Sequence, residues 1–262
     1  MLKTTANDVV ERLTGRRLMK NDWNERFFAR LSSLRNNTGS DLDAFARYVC
    51  ANLSQSRSQV FQDLWVLFTL REHQGGFFVE FGATDGVTDS NSWLLEQRHG
   101  WRGILAEPNP RWHDLVRANR PTAMVDTRCV HTKTGATVDF LATELAAVST
   151  IAGYGNADDY AASRKSHTRF QVPTVSLGDL LDNHDAPRVI DYLSIDTEGS
   201  EYDILAAYDF SRSIRCITAE HNHTPARAKL RALLGNRGYR EVLPEASNQD
   251  SWFVHETVLQ QR

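Results

Sequence analysis

Cysteine is scarce in this chain, and the few residues of this type stand far apart. Of 262 residues only three are cysteine, Cys50, Cys129 and Cys216. Their odd number and wide spacing exclude a disulfide framework, and none has the close spacing of a zinc site. The thiols fit a reduced compartment, and we therefore predict a cytoplasmic protein.

Long apolar runs and an excess of one charge are also missing. No stretch approaches the roughly 20 apolar residues that cross a bilayer, and the N-terminus lacks a signal-peptide core, so we expect no transmembrane segment. The formal net charge is only −3, which argues against a nucleic-acid partner. The 41% hydrophobic composition suffices for one sizeable core.

Strand-like and helix-like segments alternate through most of the chain. Strands joined by helices predict an α/β fold with a mostly parallel sheet, to which a closing hairpin adds an antiparallel edge strand. The predicted strands lie at residues 77–81, 101–107, 124–130, 172–177, 191–196 and 214–220, and the closing pair at 239–242 and 251–255.

Two regions depart from this alternation. Residues 1–56 carry apolar residues at helical spacing and predict a helical N-terminal extension, a candidate homo-oligomer contact, before a main domain at 57–262. Residues at about 143–171 lose periodicity and gain Gly, Asn, Asp and Ser. We predict an irregular, lid-like insertion there, because a long irregular segment inside a compact domain usually covers a site.

A glycine-bearing turn follows the first buried strand. Gly82 and Gly86 let the backbone turn tightly, and a strand–glycine turn–helix unit is how doubly wound folds hold nucleotide-like cofactors. Glu107 ends the next strand at about the interval, around 20 residues, at which an acid meets a ribose diol. The turn contains Glu80 and Asp85 but no basic residue, and Thr84 replaces the second glycine of the dinucleotide motif.

The charge of this turn indicates the kind of cofactor. An acidic turn suits a cation such as S-adenosylmethionine better than a pyrophosphate, which needs basic partners. An NAD-dependent oxidoreductase or epimerase is the alternative, since it also uses a strand, a glycine turn and an acid. A non-catalytic binding scaffold is a further alternative, against which the intact Glu80, Gly82, Glu107 and Asp196 speak.

Titratable side chains also lie at the ends of the strands predicted at 191–196 and 214–220. The candidate catalytic residues are Asp196, Glu220 and His221, each able to take a proton from an acceptor, and His221 has the most suitable ordinary pKa. Asp196, Glu220 and Asn222 also form a candidate site for Mg²⁺ or another divalent cation. The alternative without a metal is that the acids near the next helix favour its N-terminus and that Asn222 caps a helix.

Several blocks of the sequence, in order, resemble one known family. They are similar to those of the FkbM family of S-adenosylmethionine-dependent methyltransferases, over about residues 58–255, although Thr84 stands where that family often has Asn. The blocks are Ser58-Gln59 with Gln62-Asp63, Phe78 to Gly86, Ile104 to Pro110, Ser194 to Glu201, and Glu220-His221-Asn222.

The resemblance implies both a fold and an activity. The fold is the class I (Rossmann-like) methyltransferase fold, with a seven-stranded, mostly parallel sheet. The activity is methyl transfer from S-adenosylmethionine, usually to a hydroxyl of a sugar, glycan or natural product, so the expected partner is a small-molecule or saccharide acceptor. The turn and the resemblance together predict the cofactor-binding residues Gln62, Glu80, Gly82, Ala83, Asp85, Gly86, Glu107 and Asp196.

Overall fold

The computed structural model describes residues 41–143, 149–155 and 164–260. Residues 1–40 of the predicted extension lie outside this range, and the rest of that extension contains helix α1, Asp41–Asn52. The other helices are α2 (Gln62–Thr69), α3 (Trp93–His99), α4 (His113–Asn119), α5 (Leu177–Asn183), α6 (Glu201–Ala207), α7 (Ala226–Gly235) and α8 (Glu256–Leu259).

The strands of the described residues form two sheets. The strands are β1 (Phe77–Phe81), β2 (Arg102–Ala106), β3 (Met124–Asp126), β4 (Cys129–His131), β5 (Thr137–Thr143), β6 (Thr150–Ile151), β7 (His167–Ser176), β8 (Val189–Ile195), β9 (Ser213–Glu220), β10 (Tyr239–Val242) and β11 (Asp250–His255). Within the described ranges, seven of them build the main sheet, in the order β10–β11–β9–β8–β1–β2–β3, and four build a smaller sheet, in the order β4–β7–β5–β6.

The main sheet is parallel except for one strand. β1 pairs in parallel with both β2 and β8, and β8 pairs in parallel with β9. β11 is antiparallel to both β9 and β10. The prediction of an antiparallel edge strand is wrong in this detail, because β10 continues the hairpin beyond β11 and takes the edge position. This seven-stranded sheet with its helices confirms the predicted class I (Rossmann-like) methyltransferase fold.

Strand β1 lies at the centre because every residue in it is apolar or paired. All five of its residues are buried, as a strand covered on both faces requires. Phe78 packs on one face in a cluster with Trp65 and Trp252, and Val79 packs on the other face with Ile104. The carboxyl ends of β1, β2, β8 and β9 therefore meet at one edge of the sheet, where ligands of such folds bind.

The helix before β1 is short. The Asp63 carboxylate accepts hydrogen bonds from the Ser56 hydroxyl at 2.7 Å and from the Arg57 N–H at 2.9 Å, which holds the preceding residues in a turn. Phe61 has a φ of +65°, so the helix α2 begins only at Gln62. In the described part of the chain, no helix is both long and apolar enough to span a membrane.

The smaller sheet contains both described ends of the region predicted to be irregular. β5 pairs with β7 over seven residue pairs, and β6 adds a short antiparallel strand. β7 is ten residues long and begins at His167, five residues before the strand predicted there. Its exposed first half, rich in polar residues, conceals this strand from a prediction based on apolar runs.

Candidate active site

The turn after β1 meets the end of β8 backbone to backbone. Gly82 has a φ of +76°, and a Cβ at this position would lie 2.4 Å from the carbonyl oxygen of Asp196. Only glycine fits, because a side chain would have to displace the backbone of β8. Thr84 also has a positive φ, +45°, and its N–H donates to Glu107 Oε2 at 2.8 Å. Three strand ends therefore converge on this turn.

Glu107 is a buried carboxylate with both oxygens held by backbone. Oε2 accepts from the N–H of Thr84, and Oε1 accepts from the N–H of Asn109 at 2.8 Å. Burial raises the pKa of Glu107 to about 7, while the two backbone hydrogen bonds oppose that rise. Each oxygen keeps a further lone pair, so the group is oriented to accept two hydroxyls of a vicinal diol.

A cleft opens between these strand ends and the smaller sheet. Its lining combines apolar and aromatic side chains with carboxylates; no Lys or Arg among the described residues lines it. The lining residues are Phe81, Gly82, Thr84, Ala106, Glu107, Pro108, Asn109, Trp112, Cys129, Val130, Phe140, Ser149, Ile151, Asp196, Thr197 and Glu198.

The cleft fits an adenosyl sulfonium cofactor. Its apolar wall suits a purine ring, Glu107 suits a ribose diol, and the acids Asp196 and Glu198 suit the sulfonium and ammonium charges. The absence of a Cβ at Gly82 lets the turn that lines the cleft lie directly against the end of β8. A pyrophosphate would find no Lys or Arg among the described residues that line the cleft.

Three of the predicted cofactor residues, Gly82, Glu107 and Asp196, line the cleft, and the others lie behind it. The Glu80 carboxylate accepts from the N–H of Asn91 at 2.7 Å and from the Ser90 hydroxyl at 3.0 Å, so it secures the loop before α3. Gln62 Nε2 donates to Asp250 Oδ2 at 2.8 Å, within the buried interior.

The rest of the predicted turn residues shape the backbone. Asp85 Oδ1 accepts from the N–H of Val87 at 2.9 Å, which closes a turn. The carbonyl of Gly86 accepts from Arg120 Nη1 at 2.9 Å, and Ala83 is buried in the core. In this structure these three residues contact protein groups, and their direct part in cofactor binding stays a prediction.

A cluster of carboxyl groups occupies the ends of β8 and β9. Asp196, Glu198 and Glu220 each offer an oxygen within 4.8 Å of the other two. Burial, followed by the charges of Asp250 and Glu201, raises the pKa of Asp196 to about 8. Burial and the adjacent Asp196 raise the pKa of Glu220 well above its ordinary value. Burial and like charge therefore favour the protonated forms of Asp196 and Glu220, and a cation beside them would favour the ionised forms.

Asn222 lies in this cluster as a hydrogen-bond donor. Its Nδ2 donates to Glu220 Oε2 at 2.9 Å and lies 3.4 Å from Glu198 Oε2. An amide nitrogen is not a ligand for Mg²⁺, so with this orientation Glu198 replaces Asn222 as the third oxygen donor. Asn222 has a φ of +45°, which is typical of strained positions at functional sites.

His221 is placed poorly for the base role predicted from its residue type. Its Nδ1 accepts from the N–H of His223 at 3.0 Å, so the ring proton of the neutral form is on Nε2. Burial lowers the pKa of His221 to about 4. Neither ring nitrogen then has a free lone pair that could take a proton from the methyl acceptor. Nε2 is also buried without a hydrogen-bond partner among the described residues. The geometry thus argues against His221 and in favour of the carboxyl groups.

Sequence reasoning missed Asp250, which belongs to the same cluster. It pairs in register with Glu220, and burial raises its pKa to about 7. The site residues were sought at the carboxyl ends of predicted strands, whereas Asp250 is the first residue of β11. Since β11 runs antiparallel to β9, its first residue lies at the edge where β9 ends. The predicted antiparallel strand was the signal that could have found it.

The fold and the site together define a Rossmann-like domain built for a cationic adenosyl cofactor. The model of the methyltransferase FkbM domain matches residues 80–241. The chain therefore belongs to the FkbM methyltransferase family, which confirms the predicted family and makes it an S-adenosylmethionine-dependent methyltransferase. No curated protein matches the sequence.

Two solved structures are distantly similar to this chain. One is the C-terminal domain of precorrin-6Y C5,15-methyltransferase from Rhodobacter capsulatus, at 15% identity and a TM-score of 0.34, covering 72% of this chain and 80% of that one. The other is a mutant of MtNAS in complex with S-adenosylmethionine, at 13% identity and a TM-score of 0.34, covering 97% and 85%. Similarity this distant does not identify the methyl acceptor.

Proposed function

We propose that this protein is an O-methyltransferase that methylates a hydroxyl of a sugar, glycan or natural-product small molecule. The observation that carries the proposal is the pair of carboxyl groups beside the cofactor cleft, the half-buried Asp196 and the buried Glu220. A hydroxyl acceptor must lose a proton, and burial raises the pKa of Asp196 to about 8 and that of Glu220 well above its ordinary value, so the ionised form of either group has a high affinity for that proton.

Each residue has a distinct part in this reaction. S-adenosylmethionine, when bound, supplies a methyl group that is already activated on a sulfonium. Glu107 would orient the ribose through its two oxygens, and Gly82 lets the turn that lines the cleft lie against the end of β8. As the acceptor oxygen takes the methyl group and the cofactor leaves as a neutral thioether, the hydroxyl proton would pass to the carboxyl pair of Asp196 and Glu220.

A screen for methyl uptake tests this proposal. The protein is incubated with S-adenosylmethionine labelled in its methyl group and with panels of sugars, glycosylated metabolites, amines and carboxylic acids. We expect label in a hydroxyl-bearing product, in the form of an alkali-stable methyl ether. Label that appears only in amines or in alkali-labile esters would overturn O-methylation while leaving the methyltransferase assignment untouched.

A divalent cation is a second candidate feature of the site. The three oxygens of Asp196, Glu198 and Glu220 lie close enough together to bind one Mg²⁺, which would lower the pKa of an alcohol bound to it. On this proposal a chelator abolishes turnover and added Mg²⁺ restores it. Full activity in excess chelator would leave the carboxyl pair alone as the base.

The two alternatives from the sequence are tested by calorimetry. We expect S-adenosylhomocysteine to bind and NAD⁺ not to bind, because the acidic cleft offers a pyrophosphate no basic partner among the described residues. Tight binding of NAD⁺ alone would favour an oxidoreductase or epimerase, and binding of neither would favour a scaffold. The cytoplasmic location and the homo-oligomer contact through residues 1–56 stay predictions, which cell fractionation and gel filtration of the full chain would test.

A further inference from the structure

Residues 149–155 and Arg164 pack against the loop that follows β8. The Thr150 hydroxyl donates to the carbonyl oxygen of Glu198 at 2.8 Å, and the Tyr154 hydroxyl donates to Asp203 at the start of α6. These contacts join the region predicted to be a lid to the loop that carries the acidic cluster. The segment also lines the cofactor cleft through Ser149 and Ile151.

The segment packs on this loop at a glycine. Gly199 has a φ of +123°, and a Cβ there would lie 3.0 Å from the Cβ of Tyr154. The Tyr154 ring can rest on the loop only because residue 199 has no side chain. Glu198, the residue before it, has a φ of +59°. A non-glycine residue in this conformation costs free energy, which contacts around it must offset.

Arg164 supplies a contact of that kind. Its Nη2 lies 2.7 Å from Glu198 Oε2, and the two side chains are only 2% and 7% exposed. Glu198 is at the same time within 4.8 Å of two other carboxyl groups, Asp196 and Glu220. A buried pair is not in itself a sign of stability, but removing the Arg164 guanidinium takes a counter-charge away from the buried Glu198 carboxylate. Here that carboxylate would also face its like-charged neighbours.

We propose that Arg164 is a positioning residue of the methyl-transfer site: its guanidinium holds the Glu198 carboxylate, and with it the loop from Asp196 to Gly199, against the cofactor cleft. The proposal rests on the proposed use of this cleft for S-adenosylmethionine. The segment outside the main sheet thereby shapes the cofactor site, in addition to any part that it has in covering an acceptor.

A double-mutant cycle on cofactor affinity tests the role of Arg164. The variants are Arg164→Gln, Glu198→Gln and the double variant, and the measurement is the Kd of S-adenosylhomocysteine by calorimetry. Arg164→Gln should raise the Kd at least about 10-fold, because Glu198 loses its counter-charge. Glu198→Gln should also raise the Kd about 10-fold or more, because the loop loses the same contact. The double variant should bind more weakly than the wild type, but at least about 10-fold more tightly than the sum of the two single effects on the binding free energy predicts, since both members of the buried pair are gone. Arg164→Lys, which keeps the charge, should recover part of the affinity.

Arg215→Gln is the matched control for this cycle. Arg215 also forms an ion pair with a carboxylate of β8, at 2.8 Å, but with Asp191 at the opposite end of the strand. We expect it to lower the melting temperature without changing the Kd. If Arg164→Gln behaves in the same way, or if the two single effects on the Kd simply add, Arg164 is merely structural and the proposal is overturned.

The remaining outcomes are also decisive. If Arg164→Gln fails to fold, the double variant and Arg164→Lys still report on the pair, and wild-type affinity in the double variant would overturn the proposal. The cycle needs only cofactor binding by the wild type. A wild type that binds S-adenosylhomocysteine but methylates no hydroxyl would therefore contradict O-methylation without touching the result for Arg164.

Discussion

Two carboxylate environments lie side by side at the edge of this sheet, and they are built in opposite ways. At the end of β2, Glu107 has both oxygens bonded by backbone N–H groups, and burial alone raises its pKa. At the ends of β8 and β9, Asp196 and Glu220 face each other, and like charge adds to burial. The first environment suits binding by an oriented carboxylate, and the second suits holding or moving a proton.

The difference shows that residue type alone does not define a role at this edge. Both environments contain buried acids at strand ends, yet the hydrogen-bond donors around each acid decide what it does. Backbone N–H groups are fixed by the fold and favour the ionised form, whereas a neighbouring carboxylate disfavours it. If this comparison is right, substitutions in the two environments should separate cofactor affinity from the rate of transfer.

The largest expected effect is on the rate of methyl transfer, and it comes from the carboxyl groups at the ends of β8 and β9. Glu220→Gln preserves the shape of the side chain and removes its ability to take a proton. Because general-base catalysis contributes about 10²–10⁴-fold, kcat should fall by about that factor. Glu220 does not line the cleft, so the Kd of S-adenosylhomocysteine should stay within about threefold of the wild type. Calorimetry and a methyl-transfer assay on the same variant check both values, and an unchanged kcat would remove Glu220 from proton transfer.

The next effect is on affinity, at the turn that joins the two environments. Gly82→Ala would force a Cβ to 2.4 Å from the Asp196 carbonyl oxygen, so β8 must shift. We expect the Kd of S-adenosylhomocysteine to rise by about 100-fold, on the scale of about 3 kcal/mol for a strained, displaced contact. Gly100→Ala is the control, because Gly100 has a φ of +66° but a Cβ there would meet no atom of the described residues within 4 Å. Equal losses in the two variants would mean that the positive φ matters and the close approach does not.

A smaller effect on affinity is expected from the environment at β2. Glu107→Gln keeps one oxygen acceptor but replaces the other with a donor, which opposes the N–H groups of Thr84 or Asn109. The Kd of S-adenosylhomocysteine should rise about 10- to 100-fold, the range for losing a hydrogen bond to a charged group, while kcat at saturating donor changes little. A variant that binds as the wild type does would exclude Glu107 from the ribose role.

The smallest expected effect is on the thermal stability of the protein. It depends on the acids with raised pKa values at this edge of the sheet, which differ in this respect from an exposed acid. Burial raises the pKa of Glu107 and Asp250 to about 7 and of Asp196 to about 8. The folded protein therefore binds more protons than the unfolded chain, and its stability falls as the pH rises through these values. His221, with a pKa of about 4, stays neutral throughout. The melting temperature of the cofactor-free protein should drop by roughly 5 °C between about pH 6.5 and 8.5.

Two variants sharpen this measurement. Asp250→Asn removes one of the groups whose pKa is raised and should flatten the dependence of the melting temperature on pH. Asp209→Asn should leave it unchanged, because backbone hydrogen bonding by Ser211 lowers the pKa of Asp209, which then stays ionised over the whole interval. A melting temperature that rises with pH would mean that the acids are ionised in the folded state at neutral pH.

Much of the turn after β1 and of the end of β2 could be predicted from the sequence, because the residues that form them lie close together along the chain. A buried strand, a glycine turn and an acid at the next strand end follow one another along the chain, and each has a pattern of its own. Gly82 and Glu107 line the cleft as these patterns predict. Glu80 instead secures a loop through Ser90 and Asn91, which no pattern of residue types distinguishes from contact with a ligand.

The sequence by itself determined the α/β class through its hydrophobic periodicity. Its resemblance in motif order determined the family, which implies the seven-stranded sheet. Periodicity and motif order are both properties of neighbouring residues. Only the tertiary structure decided which acids share a site. Arg164 reaches Glu198 across 34 positions of the chain, and Asp250 reaches the cluster through an antiparallel pairing with β9. Such contacts depend on how strands are placed side by side, and the charge and proton affinity of the site follow from that placement.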